Sequence, residues 1–294
     1  MPAIALGTVQ FGLDYGLTNS SGQIGDRDAQ RILQTAQEAG IGWLDTAAAY
    51  GNAEERLGSL LAGENHFSIC SKTLPAPQGQ SVLASAQRSL DTSLTRLRRD
   101  HVDALLIHAA DDLLGAEGEA LWAWMDSARQ QGMARSIGVS VYDEDEIQAV
   151  LKRCTPDWIQ LPCSVLDQRL VATGMLAKLT AAGIKLQARS LLLQGVVNVV
   201  PEKLPGPLMA LHDPLSRLRR IAAREGIGAV DLALAWAAVQ EIDLAVLGVT
   251  TADELQQCVE AFQRRIDVDW REFASDDPVA VDPRKWPKGM RLSV

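Results

Sequence analysis

Short apolar runs alternate with amphipathic stretches along the chain. Residues 3–7 are apolar and lead into a glycine-rich loop, which predicts a strand. Residues 26–40 predict a helix, because Ala29, Ile32, Leu33, Ala36 and Ala39 recur three or four apart and Gly40 stands where the helix must stop. The same alternation predicts strands at 41–46, 67–72, 102–108, 134–140, 157–161, 184–190 and 244–248. Helices are predicted at 53–61, 81–97, 117–131, 143–152, 171–182, 214–225 and 252–263. In 81–97 the residues Leu83, Ala86, Leu90, Leu94 and Leu97 form one stripe. The strands are short and apolar without strict alternation, as expected of strands covered on both faces. Eight of them, interleaved with helices and without a break in composition, predict an α/β fold in one domain over 1–294: a single (β/α)8 TIM barrel. Two pieces exceed the minimal repeat, an extra helix at 231–239 before the last strand and a C-terminal tail from 266. The segment 191–213, with Pro201, Pro205 and Pro207, predicts a surface loop over one end of the barrel.

Composition narrows the function. The chain is 47% hydrophobic and 22% charged, in the range of folded proteins. Its net charge of −9 argues against nucleic acid as a partner, which needs a basic stripe, and against a polybasic membrane contact. No apolar run approaches spanning length, and MPAIALGTVQFG has no basic region ahead of an apolar core, so the expected location is cytoplasmic. Cys70, Cys154, Cys163 and Cys258 form no metal or redox motif, and the four His residues do not cluster, so no metal site is expected. Trp122 and Trp124 read as packing residues and Cys70 as a small buried hydrophobe. The acidic run 143–146 reads as charge complementing a helix dipole.

Easy motifs are absent: no Gly-x-Gly-x-x-Gly, no P-loop, no His-Glu-x-x-His, no Gly-x-Ser-x-Gly. Position is more informative. Chemistry in a (β/α)8 barrel sits at the C-terminal strand ends. There, strands two to four offer Asp45, Lys72 and His108, and Tyr50 lies in the loop after Asp45. Each alone has a plain structural reading as a loop cap, an ion pair or a core histidine, but the four together suggest a site for protonating a carbonyl. A phenol is a weak acid near neutral pH, an ammonium beside it lowers its pKa, and a carboxylate holds the ammonium. The Lys72–Asp45 pair is expected at a solvent-open rim.

The segments LDTAAAYGNAEERLG (44–58), SKT (71–73) and LLIHAAD (105–111) resemble successive signatures of the aldo-keto reductase superfamily. The resemblance continues through IGVSVY (137–142), IQLPCSVLDQR (159–169), ARSLLLQG (188–195) and VLGVTTADELQQ (246–257), and LGTVQFGLDYGLTN resembles a bacterial branch. It implies reduction of an aldehyde or ketone with NADPH or NADH in such a barrel. Tyr50 would be the general acid, Lys72 and Asp45 would tune it, and His108 would orient the carbonyl. Gly7, Thr8, Asp45, Ser140 and Gln160 match residues around the nicotinamide. Arg189, Ser190, Leu191, Gln194, Gly195, Gly248, Thr250, Glu254, Gln257 and Cys258 match further cofactor positions. Val141 stands where an Asn is common, Arg189 where an aromatic stacks, Cys163 where a Tyr is common, and Glu254 and Cys258 where Arg and Asn meet the adenosine phosphate. Other readings of the same residues are a nicotinamide-binding regulatory or redox-sensing barrel with slow turnover, and a lyase or isomerase using Tyr50 and Lys72. The expected partner is a small carbonyl substrate, and the expected state a monomer or weak homo-oligomer.

Overall fold

The computed structural model describes residues 1–63 and 66–292. Eight parallel strands close into a barrel in chain order. They are β1 (Ala3–Gly7), β2 (Trp43–Asp45), β3 (Ser68–Lys72), β4 (Ala104–Ile107), β5 (Ile137–Ser140), β6 (Trp158–Pro162), β7 (Lys185–Arg189) and β8 (Leu244–Gly248). The ring closes where β1 meets β8, with Gly7 opposite Gly248. The helices are α1 (Val9–Gly12), α2 (Asp26–Glu38), α3 (Ala53–Leu60), α4 (Val82–Leu97), α5 (Ala110–Leu114) and α6 (Gly118–Gln130). After these come α7 (Glu144–Leu151), α8 (Arg169–Ala172), α9 (Met175–Ala181), α10 (His212–Arg224), α11 (Ala229–Ala237) and α12 (Ala252–Phe262). The extra helix before the last strand is α11, and the short α1 and α5 add to the expected pattern.

Period-two geometry explains how the strands build both a core and a site. Ala5, Cys70, Ala104, Leu106, Trp158 and Leu244 form one buried group inside the barrel, with the partly buried Trp43 packed against it, separate from the larger shell between strands and helices. Trp43 and Trp158 meet edge to face at 5.6 Å. Two residues further along the same strands stand Asp45, Lys72, His108 and Gln160, one layer nearer the C-terminal mouth. An apolar floor therefore lies beneath a polar layer. Behind β3, the buried Glu54 of α3 accepts from Ser71 Oγ (2.6 Å) and Ser93 Oγ (2.9 Å), joining α3 and α4 to the strand that carries Lys72. Burial pushes the Glu54 carboxyl pKa up, and the two hydroxyls only partly offset it.

Three stretches differ from expectation. The predicted helix 171–182 is split, because Gly174 takes a left-handed conformation (φ 68°) between α8 and α9. The segment 191–213 is a packed cover rather than a surface loop. It winds through tight 3-10 turns at Leu193–Asn198, Pro201–Lys203 and Gly206–Leu211, with Leu193, Val196, Val197, Leu208 and Leu211 buried. Its prolines block a continuous helix while its apolar residues still need burial. The tail packs down through Phe273, Ala280, Val281 and Trp286. Its end pairs with the loop after α1, where Leu292 N–H donates to Leu17 O (2.8 Å) and Arg291 bonds Gly16 O and Asp14.

Close backbone contact positions the loop that carries Tyr50. A Cβ at Gly12 would lie 1.7 Å from the Tyr50 carbonyl oxygen. Gly12→Ala is expected to cost ~1–3 kcal/mol through overpacking and to lower kcat as Tyr50 is displaced. A thermal melt measured beside kcat checks both effects, and an unchanged pair would show that the loop yields freely.

Candidate active site

The C-terminal mouth opens into a cleft of about 550 Å³. Asp45, Tyr50 and His108 line it, while Lys72 sits beneath, fully buried. Lys72 Nζ donates to Asp45 Oδ1 (2.7 Å), Asp45 Oδ2 (2.8 Å) and Thr46 O (3.0 Å), and lies 3.5 Å from the Tyr50 hydroxyl. The pair is not at an open rim: the side chains are 1% and 6% exposed. Inward alternation on β2 and β3 places both on the barrel interior, one layer below the mouth.

Burial, the largest single influence, would discharge the Lys72 ammonium, but Asp45, Tyr50 and Cys70 together outweigh it and hold the pKa above the usual lysine range. Tyr50 is raised as well. Its burial is the largest cause, and Lys72 lowers it only partly while Asp45 raises it. The ammonium thus moderates a phenol that stays neutral, rather than driving it below its ordinary value as the sequence suggested. His108 is pushed down to about 3 by burial, then by the charges of Lys72 and Arg189, so its imidazole is neutral. Its Nδ1 is sealed without a partner, which favours the tautomer carrying the proton on Nε2. The Tyr50 and His108 rings meet edge to face, 6.0 Å between centres.

Asp45 is also tied across the barrel. Gln160 Nε2 donates to Asp45 Oδ1 (2.6 Å) and to Gln187 Oε1 (3.0 Å). Both amide hydrogens are therefore committed, and Gln160 Oε1 is left for a ligand in the cleft. Gln187, fully buried, was missed in the sequence, although a glutamine two residues before Arg189 on the inward face of an apolar strand was a readable signal.

Of the other candidates, Gly7, Thr8, Ser140, Arg189, Ser190, Leu191, Gln194, Gly195, Gly248, Thr250 and Glu254 all line the cleft. Gln257 and Cys258 do not. The turn of α12 carries Gln257 to the exposed surface and Cys258 into the core, where burial pushes its thiol up to about 12. Tyr15, Tyr142, Gln10 and Arg284 also line the cleft, and no local pattern marks them. Among the described residues no group of three His, Cys, Asp or Glu could hold a metal ion, and no helix is long and apolar enough to cross a membrane.

The residues fit a nicotinamide better than they fit a 2′-phosphate. Gln160 Oε1 and the Ser140 hydroxyl can meet a carboxamide, and Gln10 Oε1, buried without a partner, lines the cleft where a Cβ on Gly248 would lie 2.8 Å from that side chain. At the far end, Glu254 Oε2 accepts from Thr250 N–H (2.7 Å) and Thr250 Oγ1 (3.0 Å), and Thr251 Oγ1 caps α12 by accepting from Glu254 N–H. A carboxylate already takes the donors that a phosphate would use. Arg265 bonds Met1 Sδ at the opposite end of the barrel, too distant to replace them.

The family model described as Aldo/keto reductase family matches residues 3–272. The chain belongs to the aldo/keto reductase family. Among its relatives is an aldo-keto reductase of Mycolicibacterium smegmatis, 31% identical over 134 residues, which are 44% of this chain and 46% of that protein. Another, from Mycolicibacterium paratuberculosis, is 35% identical over 134 residues, 44% of this chain and 45% of that protein. The chain thus spans about half the length of these relatives. In fold it is similar to an aldo/keto reductase of Klebsiella pneumoniae in complex with NADP and acetate, with TM-score 0.71, 21% identity and coverage of 96% and 95%. It is also similar to the holo form of a Bacillus halodurans aldo-keto reductase, with TM-score 0.71, 21% identity and coverage of 92% and 89%.

Proposed function

We propose that the chain reduces an aldehyde or ketone to an alcohol with a reduced nicotinamide cofactor. The observation that carries this reading is the buried chain Gln187–Gln160–Asp45–Lys72–Tyr50, which ends on a neutral phenol at the cleft. Reduced nicotinamide, when bound, supplies the hydride. Ser140 and Gln160 would hold its carboxamide, in the cleft that Gly7, Thr8 and Gly248 also line. The Tyr50 hydroxyl and the His108 Nε2–H both donate to the carbonyl oxygen, and the Tyr50 proton passes to that oxygen as charge develops there. Lys72 stabilises the phenolate left behind, and Asp45 keeps the ammonium charged and in place. Steady-state oxidation of NADH and NADPH with a panel of aldehydes tests the reading. Absence of turnover with every member would overturn it.

The acidic far end bears on the choice of cofactor. A 2′-phosphate carries close to two negative charges and calls for a cation, whereas Glu254 presents a carboxylate beside that place. Repulsion of about 1 kcal/mol between partly solvated charges works against the NADPH preference that the family resemblance implies. NADH is therefore expected to serve as well as NADPH or better. Glu254→Arg is expected to shift the ratio of dissociation constants toward NADPH by about tenfold, read by tryptophan fluorescence titration. A wild-type preference for NADPH above about a hundredfold, unmoved by the substitution, would place phosphate recognition elsewhere.

A further inference from the structure

Arg189 ends β7 on the inward face, beside the catalytic layer. Its guanidinium lies 4.0 Å from the centre of the Tyr142 ring, and that of Arg284, from the C-terminal tail, lies 3.7 Å from the same centre. Two cations so close to one ring must hold opposite faces, so Tyr142 is clamped and fixes the plane of Arg189. The two cations differ in their partners. Arg284 is neutralised by Asp282 (2.9 Å) and Glu146 (2.6 Å). Among the described residues Arg189 donates only to neutral oxygens, Val141 O (3.0 Å) and Ser190 Oγ (3.5 Å). Among the described residues no carboxylate pairs with it. A guanidinium has five N–H groups in a fork that fits a carboxylate, and three remain without a protein acceptor here.

The surroundings sharpen this. Lys72, the cation below the cleft, is matched by Asp45, so the catalytic end carries one uncompensated positive charge in a chain of net charge −9. Arg189 faces His108 and Tyr50, the two groups that meet the carbonyl, across the cleft that all three line, and its charge reaches both.

We propose that Arg189 is the receptor for a carboxylate carried by the carbonyl substrate, so that the substrate class is an oxo acid or a carboxylated aldehyde. The proposal rests on the reductase reading above and adds the substrate's charge to it. A carboxylate in the fork of Arg189 anchors one end of the molecule while the carbonyl reaches Tyr50 and His108, which restricts the orientation of the reacting carbon.

The test compares 4-carboxybenzaldehyde with benzaldehyde, which differ by the carboxylate alone. In the wild type, kcat/KM is expected to favour the carboxylated aldehyde by about tenfold or more. Arg189→Gln is expected to bring that ratio close to one and Arg189→Lys to keep part of it. The ratio cancels any loss of cofactor affinity shared by both substrates. A wild-type ratio near one, or a preference that survives Arg189→Gln, overturns the proposal. So does an unchanged ratio with weakened NADH binding by fluorescence, which would assign the charge to the cofactor's diphosphate. If the wild type reduces neither of these nor any other aldehyde of the panel, the reductase reading fails, and calorimetric titration with 4-(hydroxymethyl)benzoate against benzyl alcohol decides the receptor separately. Binding selective for the benzoate and lost in Arg189→Gln supports it, and equal binding overturns it.

Discussion

Tyr50→Phe is expected to reduce kcat for carbonyl reduction by about 10²–10⁴-fold, the contribution of a positioned general acid. Among the described residues the Tyr50 hydroxyl has a single protein hydrogen-bond contact, the long 3.5 Å approach of Lys72, so its loss leaves packing nearly intact. The melting temperature and the NADH dissociation constant are therefore expected to stay near wild type while kcat and kcat/KM fall together. That pattern marks an interaction made in the transition state. The pH dependence follows from the same residue. Reduction needs the protonated phenol, and burial holds the Tyr50 pKa above its ordinary value, so kcat is expected to be flat through neutral pH and to fall only in strong alkali. His108, neutral above about 3, adds no break between pH 5 and 9. Near-normal kcat in Tyr50→Phe would mean that the proton comes from another donor.

The tetrad was legible because strand ends are where a parallel barrel presents chemistry, and alternation along each strand leaves little freedom about which residues face inward. Gln160 and Ser140 follow from the same geometry: their strands pair with Ser140 opposite Gln160, and Gln160 opposite Gln187. What sequence pattern does not carry is depth and long-range pairing. The Lys72–Asp45 pair ends its strands, yet it is sealed by the layer above it, which no local pattern reports. Likewise the acidic run at the start of α7 does more than complement a helix dipole. Asp143 caps the helix through Glu146 N–H, while Glu146 accepts from Tyr142 N–H (2.7 Å) and holds Arg284, a residue 138 positions further on. The clamp on Tyr142 therefore depends on a tail whose docking is fixed only in three dimensions. The cover at 191–213 shows the same limit, since its prolines signal a loop and only the folded barrel shows why its leucines and valines are buried.

Burial of the Lys72–Asp45 pair changes what its substitutions should do. At an open rim, breaking the pair would cost little stability, but here removal of either partner leaves the other charged in a closed interior. Lys72→Met strands Asp45, whose charge then raises the Tyr50 pKa with only Arg189 left to oppose it, and Asp45→Asn strands the ammonium. Each single variant is expected to lose ~3–5 kcal/mol of stability and nearly all carbonyl reduction. The double variant Asp45→Asn with Lys72→Met separates the two effects. It buries no charge, and the side-chain amide introduced by Asp45→Asn can still accept from Gln160, so most of the stability is expected to return. Activity should not return with it, because no ammonium remains to stabilise the phenolate. Urea unfolding of the four proteins, read beside kcat, decides the matter. Recovery of both stability and turnover in the double variant would reduce the pair to an ion pair within the core and remove it from the chemistry.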